Sequence, residues 1–276
     1  MDAVRRRLAD GGDPVRAAGQ RQYLRSEMPL RGFRLPELRA AVREVLAEPR
    51  HAVDDAGAWE ATVRALWDEA EYRDERHAAI ALARHRPYRA WATDPAALPL
   101  YRHLVVTGAW WDLVDDVATH LLAPLLRAHP DVAAAVRAWS SDTELWVRRA
   151  ALLAQIGARE RTDTGLLADC VEANLLGSPH GDDFFVRKAV GWALRDHART
   201  DPAWVAAYVE ALGDRLAPLS RREALRHLGV SGEPAGPPRM SGEPAGPPRV
   251  RRAAKVRYTP VGSSRNTGIS RSVRRW

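Results

Sequence analysis

Apolar residues recur through most of this chain at three- and four-residue spacing, with short polar breaks between runs. That periodicity predicts α-helices. They fall at 15–26, 36–48, 58–70, 73–86, 95–107, 110–128, 130–140, 143–157, 163–176, 183–199, 202–212 and 218–228, with no convincing strand pair. Pro36, Pro95, Pro130 and Pro202 take first-turn positions, and Asp94, Thr143, Asp182 and Asp201 read as caps. Gly108, Gly157, Gly177 and Gly213 read as stops. Helices of this length joined by a few residues predict antiparallel pairs. Pairs every 35–45 residues or so predict a solenoid of HEAT or armadillo type; a single all-helical bundle is the alternative.

The pattern breaks after residue 230. SGEPAGPPRM at 231–240 is repeated as SGEPAGPPRV at 241–250, and a basic stretch follows to Trp276. Pro and Gly at this density predict a linker and a disordered tail. The expected division is a helical-repeat domain at 1–230 and a tail at 231–276. Charge divides the same way. Of 42 basic and 35 acidic residues, ten and two lie in 231–276, which leaves 32 and 33 before it. The high pI therefore belongs to the tail, and the body is near neutral. The tail adds non-specific attraction to a polyanion, or it is an extension without a specific role.

Composition removes several classes of chemistry. A single cysteine, Cys170, excludes an intramolecular disulfide framework and a Cys-based zinc site. The histidines, His77 and His120 among them, show no HExxH and no paired ligand spacing, so no metal is expected. No GxGxxG, GxxxxGK[ST] or GxSxG motif occurs. No stretch reads as a signal peptide or a membrane span, which predicts a cytoplasmic protein. Any chemistry falls to carboxylate, aromatic and guanidinium groups.

Three helices carry residues that break their own pattern. On a wheel of about 100° per residue, Trp110, Leu113, Val114, Val117 and Leu121 form a core arc, with Trp111 and Asp115 together outside its centre. An indole and a carboxylate on one ledge suit a cationic ligand; a second core tryptophan beside a solvated acid is the other reading. In 143–157, Arg149 falls within the apolar arc and needs a partner, unless its stem packs and its head reaches solvent. Arg148 points away from that arc. In 183–199, Trp192 lies at the edge of the core face between Lys188 and Arg195. That setting suits phosphate and sugar, or an ordinary boundary tryptophan.

Six ordered segments carry a family resemblance: LRGFRLPELR at 30–39, LWDEAEYRDERHAAI at 66–80, LVVTGAWWDLVDDVA at 104–118, ELWVRRAALLAQI at 144–156, FFVRKAVGWALRDHA at 184–198 and LAPLSRREALRHL at 216–228. Over about 15–228 the chain resembles the bacterial AlkD family of DNA alkylation repair glycosylases. The resemblance implies an all-α fold, a right-handed superhelical solenoid of HEAT-like helix pairs whose concave face binds duplex DNA. It implies excision of cationic alkylpurines, such as N3-methyladenine and N7-methylguanine, by a monomer without a cofactor, near the nucleoid. By position, Asp115, Trp111, Trp192 and Arg149 are the expected catalytic set, with Arg149 holding a backbone phosphate. Tyr23, Arg148, Arg187, Lys188 and Arg195 are the expected DNA contacts. A non-catalytic HEAT-repeat protein that binds damaged or branched DNA is the alternative, and a protein-binding scaffold is a third. The 231–276 tail has no counterpart in the resemblance.

Overall fold

Aspartates start the helices. Asp13, Asp55, Asp163, Asp183 and Asp201 each accept a backbone N–H two or three residues ahead, which satisfies a donor that the first turn leaves open. The computed structural model describes residues 1–228, and these residues fall within one compact unit. Its helices are α1 (Asp2–Ala9), α2 (Pro14–Leu24), α3 (Leu35–Leu46), α4 (Ala56–Asp68), α5 (Arg73–Ala83), α6 (Arg89–Ala92), α7 (Leu98–Gly108) and α8 (Trp111–Val117). They continue with α9 (Ala123–Ala128), α10 (Ala133–Trp139), α11 (Leu145–Leu153), α12 (Thr164–Glu172), α13 (Phe184–His197), α14 (Pro202–Leu212) and α15 (Pro218–Leu225). No strand occurs among the described residues, and the fold is all-α. The boundary at 230 and the 231–276 tail lie outside the described residues.

Packing sorts the helices into two rows. In one, α1, α3, α5, α8, α11, α13 and α15 touch in succession. In the other, α4 meets α7 and α10 meets α12, and this row backs onto the first through α4–α5, α7–α8, α11–α12 and α13–α14. Helices α4, α7, α12 and α14 thus each pack against a chain neighbour in the first row, as stacked pairs require.

Three local findings differ from the sequence expectation. Helix α1 is additional: Val4 and Leu8, one turn apart, bury against α3, but two apolar positions are too few to register as a period. The cap expected at Asp182 sits one residue on, at Asp183, which accepts from Phe185 N, and the helix expected from Thr143 starts with Glu144 as its N-cap, whose own N–H goes to Asp142. The helix expected over 110–128 is present but interrupted, with a π-helical turn at Ala118–Leu122 between α8 and α9.

Gly32 seats α2 against the start of α3. Its φ is +89°, and a Cβ there would lie 2.1 Å from the carbonyl oxygen of Asp13, so only glycine fits. Gln20 of α2 then donates to Phe33 O at 2.8 Å, and Tyr23 projects from the last turn, 75% exposed.

Candidate active site

The corner between α7 and α8 aims the two tryptophans apart. Gly108 ends α7, yet the left-handed residue is Ala109, with φ 38°. Trp110 follows as the N-cap of α8 rather than as a member of it. It is half-buried against Trp146 and Phe185, at ring separations of 6.0 and 5.4 Å. The core position expected for Trp110 presumed a helix that already included it. Trp111 opens α8 and meets Tyr23 edge-on, 6.0 Å between centroids and 90° between planes.

Trp111, Asp115, Trp192 and Tyr23 line one cavity of about 440 Å³. Asp115 stands on its wall. Both carboxylate oxygens accept from Arg149, Oδ1 from Nε and Oδ2 from Nη2, each at 2.7 Å. The side chains are 15% and 6% exposed. A third Arg149 donor, Nη1, goes to Phe185 O, so one guanidinium ties α8, α11 and α13 together. Burial raises the Asp115 pKa above the ordinary 3.8, against the lowering effect of Arg149, and the charges of Asp112 and Asp116 raise it further. The expectation that Arg149 finds a partner holds. That partner is Asp115 rather than a phosphate.

The expected DNA contacts divide. Arg148 does not point outward; it is 5% exposed and donates to Ser141 O, Asp142 O, Ala173 O and Asn174 Oδ1. Helix α11 packs against α7, α8, α10, α12 and α13, so it has no free face, and a two-sided wheel does not describe it. Lys188 donates to Glu223 Oε1 at 2.9 Å and Arg195 to Glu223 Oε2. These two cations clamp α13 to α15. Arg187 is half-buried with Nε unpartnered.

The sequence reading missed the charges beneath Asp115. His77 lies between Asp112, at 3.3 Å, and Asp116, at 3.5 Å. Arg73 grips Asp112 through Nε and Nη2. A ladder that runs from α8 into the π-helical turn (Asp112, Asp116, then His120) faces a ladder on α5 (Arg73, His77). Each is spaced four residues apart, and that pairing was the available signal. Burial opposes a charge on His77, but both carboxylates outweigh it and push its pKa from 6.5 up to about 9. Asp112 is held at about 2, where hydrogen bonds from His77 and Arg73 overcome burial. Folded protein thus binds a proton that the unfolded chain releases between pH 6.5 and 9. The associated stability is complete below 6.5 and is lost as pH rises through 9. It is worth on the order of 3 kcal/mol at most. Denaturant unfolding across that interval should show the decline, and His77→Gln should flatten it.

Among the described residues no cluster of His, Cys, Asp or Glu could hold a metal ion, and no helix is long and apolar enough to cross a membrane. What remains is an all-helical protein with a desolvated carboxylate on the wall of a cavity that two indoles also line. The chain belongs to the DNA alkylation repair enzyme family, whose pattern it matches over residues 4–228. It is thereby an enzyme of DNA alkylation repair, with DNA as its substrate. Among solved structures, a predicted DNA alkylation repair enzyme from Enterococcus faecalis shares the fold with a TM-score of 0.69, at 24% identity over 80% of this chain and 98% of that one. No curated protein matches the chain.

Proposed function

We propose that the protein is a monofunctional DNA glycosylase. It would hydrolyse the N-glycosidic bond of cationic alkylpurines, such as N3-methyladenine and N7-methylguanine, in duplex DNA. The observation that carries this reading is Asp115, anchored through both oxygens on the wall of a cavity that also holds Trp111 and Trp192. A purine made cationic by alkylation is already a good leaving group. As the C1′–N bond breaks, its electron pair returns to the purine and neutralises it, while positive charge develops on the sugar. A fixed, poorly hydrated anion is worth most at that moment. Asp115 keeps further lone pairs to orient the water that adds to C1′, and that water's proton passes to the carboxylate or to solvent. The indoles pack against the deoxyribose and attract the cationic nucleotide. The lesion stays stacked while the protein works from the backbone side, so bulky cationic adducts are tolerated and neutral lesions are poor substrates.

Incubation with methylated duplex and analysis for free base tests this. Release of N7-methylguanine and N3-methyladenine, leaving an unbroken abasic strand, is the expected result. Strand cleavage through an amine is not expected: Lys188 and Lys255 are the only lysines in the chain, and Lys188 is bound to Glu223. No release of base from alkylated duplex would end the reading.

A further inference from the structure

Asp116 organises a second, cationic end of the same cavity. It is 6% exposed and accepts from Arg39 Nη2 at 3.0 Å and from His120 Nδ1 at 2.8 Å, with His77 Nδ1 at 3.5 Å. His120 Nδ1 also lies 3.0 Å from Thr119 Oγ, which donates its own proton to Asp115 O. Both neighbours of Nδ1 are therefore acceptors, and Nδ1 carries the proton. Among the described residues Nε2 has no partner, in a residue that lines the cavity. Arg39 lines it too, and engages Asp116 through Nη2 alone.

Charge accumulates at this end. Arg149 balances Asp115 and Arg73 balances Asp112. Asp116 faces Arg39, the protonated His77 and the neighbouring Arg84, whose Nη1 is buried without a partner. Three cations thus surround one carboxylate before His120 is counted. The backbone marks the same place, because Thr119 and His120 belong to the π-helical turn, and such turns are frequent at functional sites.

We infer that Arg39 and His120 bind a phosphodiester of the lesion strand, next to the nucleotide whose sugar sits over Asp115. The inference rests on the reading of this cavity as a DNA site. Asp116 would act as a buried anchor that holds the Arg39 guanidinium and a His120 imidazolium at one spacing, the ring giving Nδ1–H to the carboxylate and Nε2–H to the phosphate, so that the backbone lies along the cavity with its sugar at the anionic end and its phosphate at the cationic one.

Binding of a duplex carrying a tetrahydrofuran abasic analogue tests it. The proteins compared are wild type, His120→Gln and Arg39→Gln across a salt series. Each variant should bind roughly tenfold more weakly at low salt, and its log–log salt slope should be shallower by about 0.9, one phosphate contact. A neutral methylphosphonate beside the analogue should weaken wild type by a similar factor and add little to the loss in either variant. Wild-type slopes in His120→Gln would overturn the inference, even if Arg39→Gln fails to fold. So would a methylphosphonate penalty undiminished in both variants. If wild type binds with the expected slopes but releases no base from methylated duplex, this inference stands and the glycosylase reading falls; base release with unchanged slopes gives the reverse.

Discussion

Asp115→Asn is expected to slow release of N7-methylguanine by about 10²–10³-fold, the usual scale for loss of one preorganised electrostatic group. Binding to a duplex with an abasic analogue should stay within a few-fold of wild type. The substitution is nearly isosteric and removes the charge but keeps one acceptor oxygen. Arg149 presents donors to both positions of the carboxylate, so one of them would meet the amide NH₂ instead. Some stability is lost with that mismatch, on the order of 1–3 kcal/mol, and a thermal melt should record it. The kinetic effect and the stability effect separate at a temperature where both proteins are folded. Excision at the wild-type rate by folded Asp115→Asn would remove the carboxylate from the mechanism. A proportional fall in excision and duplex binding would instead make Asp115 part of the platform rather than the reacting group.

How much of this could be read from the residues depends on where each helix packs. Helix α13 packs against α11, α14 and α15, and Trp192, which the wheel put at the edge of its apolar arc, is half-buried. Trp111 and Asp115 fell together off the core arc and together line the cavity. The wheel failed at α11, because that helix is enclosed by five others. Arg148 and Arg149 are both buried there, and their donors go to different partners, Arg148 to Ser141, Asp142, Ala173 and Asn174, Arg149 to Asp115 and Phe185. It failed again at Trp110, where the left-handed Ala109 starts α8 one residue later than the apolar pattern suggests. The network around His77 lay beyond single-helix periodicity. Its acids and its cations sit on α8 and α5, some 35 to 39 residues apart in the chain, and only the fold brings the ladders face to face. Local pattern thus put Asp115 beside Trp111, while tertiary packing decided which cation pairs with it and which brace the scaffold. Lys188 and Arg195, flanking Trp192 in sequence, brace Glu223.

Arg149→Met separates the two roles open to that arginine. With Asp115 left uncompensated in a buried setting, the protein should lose about 3–5 kcal/mol near neutral pH. The loss should shrink toward acid, because Asp115 can then take a proton and cease to be a buried charge. A carboxylate already above 3.8 through burial and through Asp112 and Asp116, with Arg149 pulling the other way, can only rise further when the arginine is removed. Excision needs the ionised form, so the acid limb of kcat/KM reports this group. In wild type that limb should lie above 3.8, and in Arg149→Met it should move to higher pH, with activity partly restored by raising the pH. Arg149→Lys should fall between them, since it keeps the charge but not the paired geometry. An arginine that served a backbone phosphate would behave differently. Its loss would flatten the salt dependence of duplex binding and leave the acid limb where it was. The pH–rate profile and the salt slope, measured on the same three proteins, therefore decide whether Arg149 tunes the carboxylate or holds the DNA.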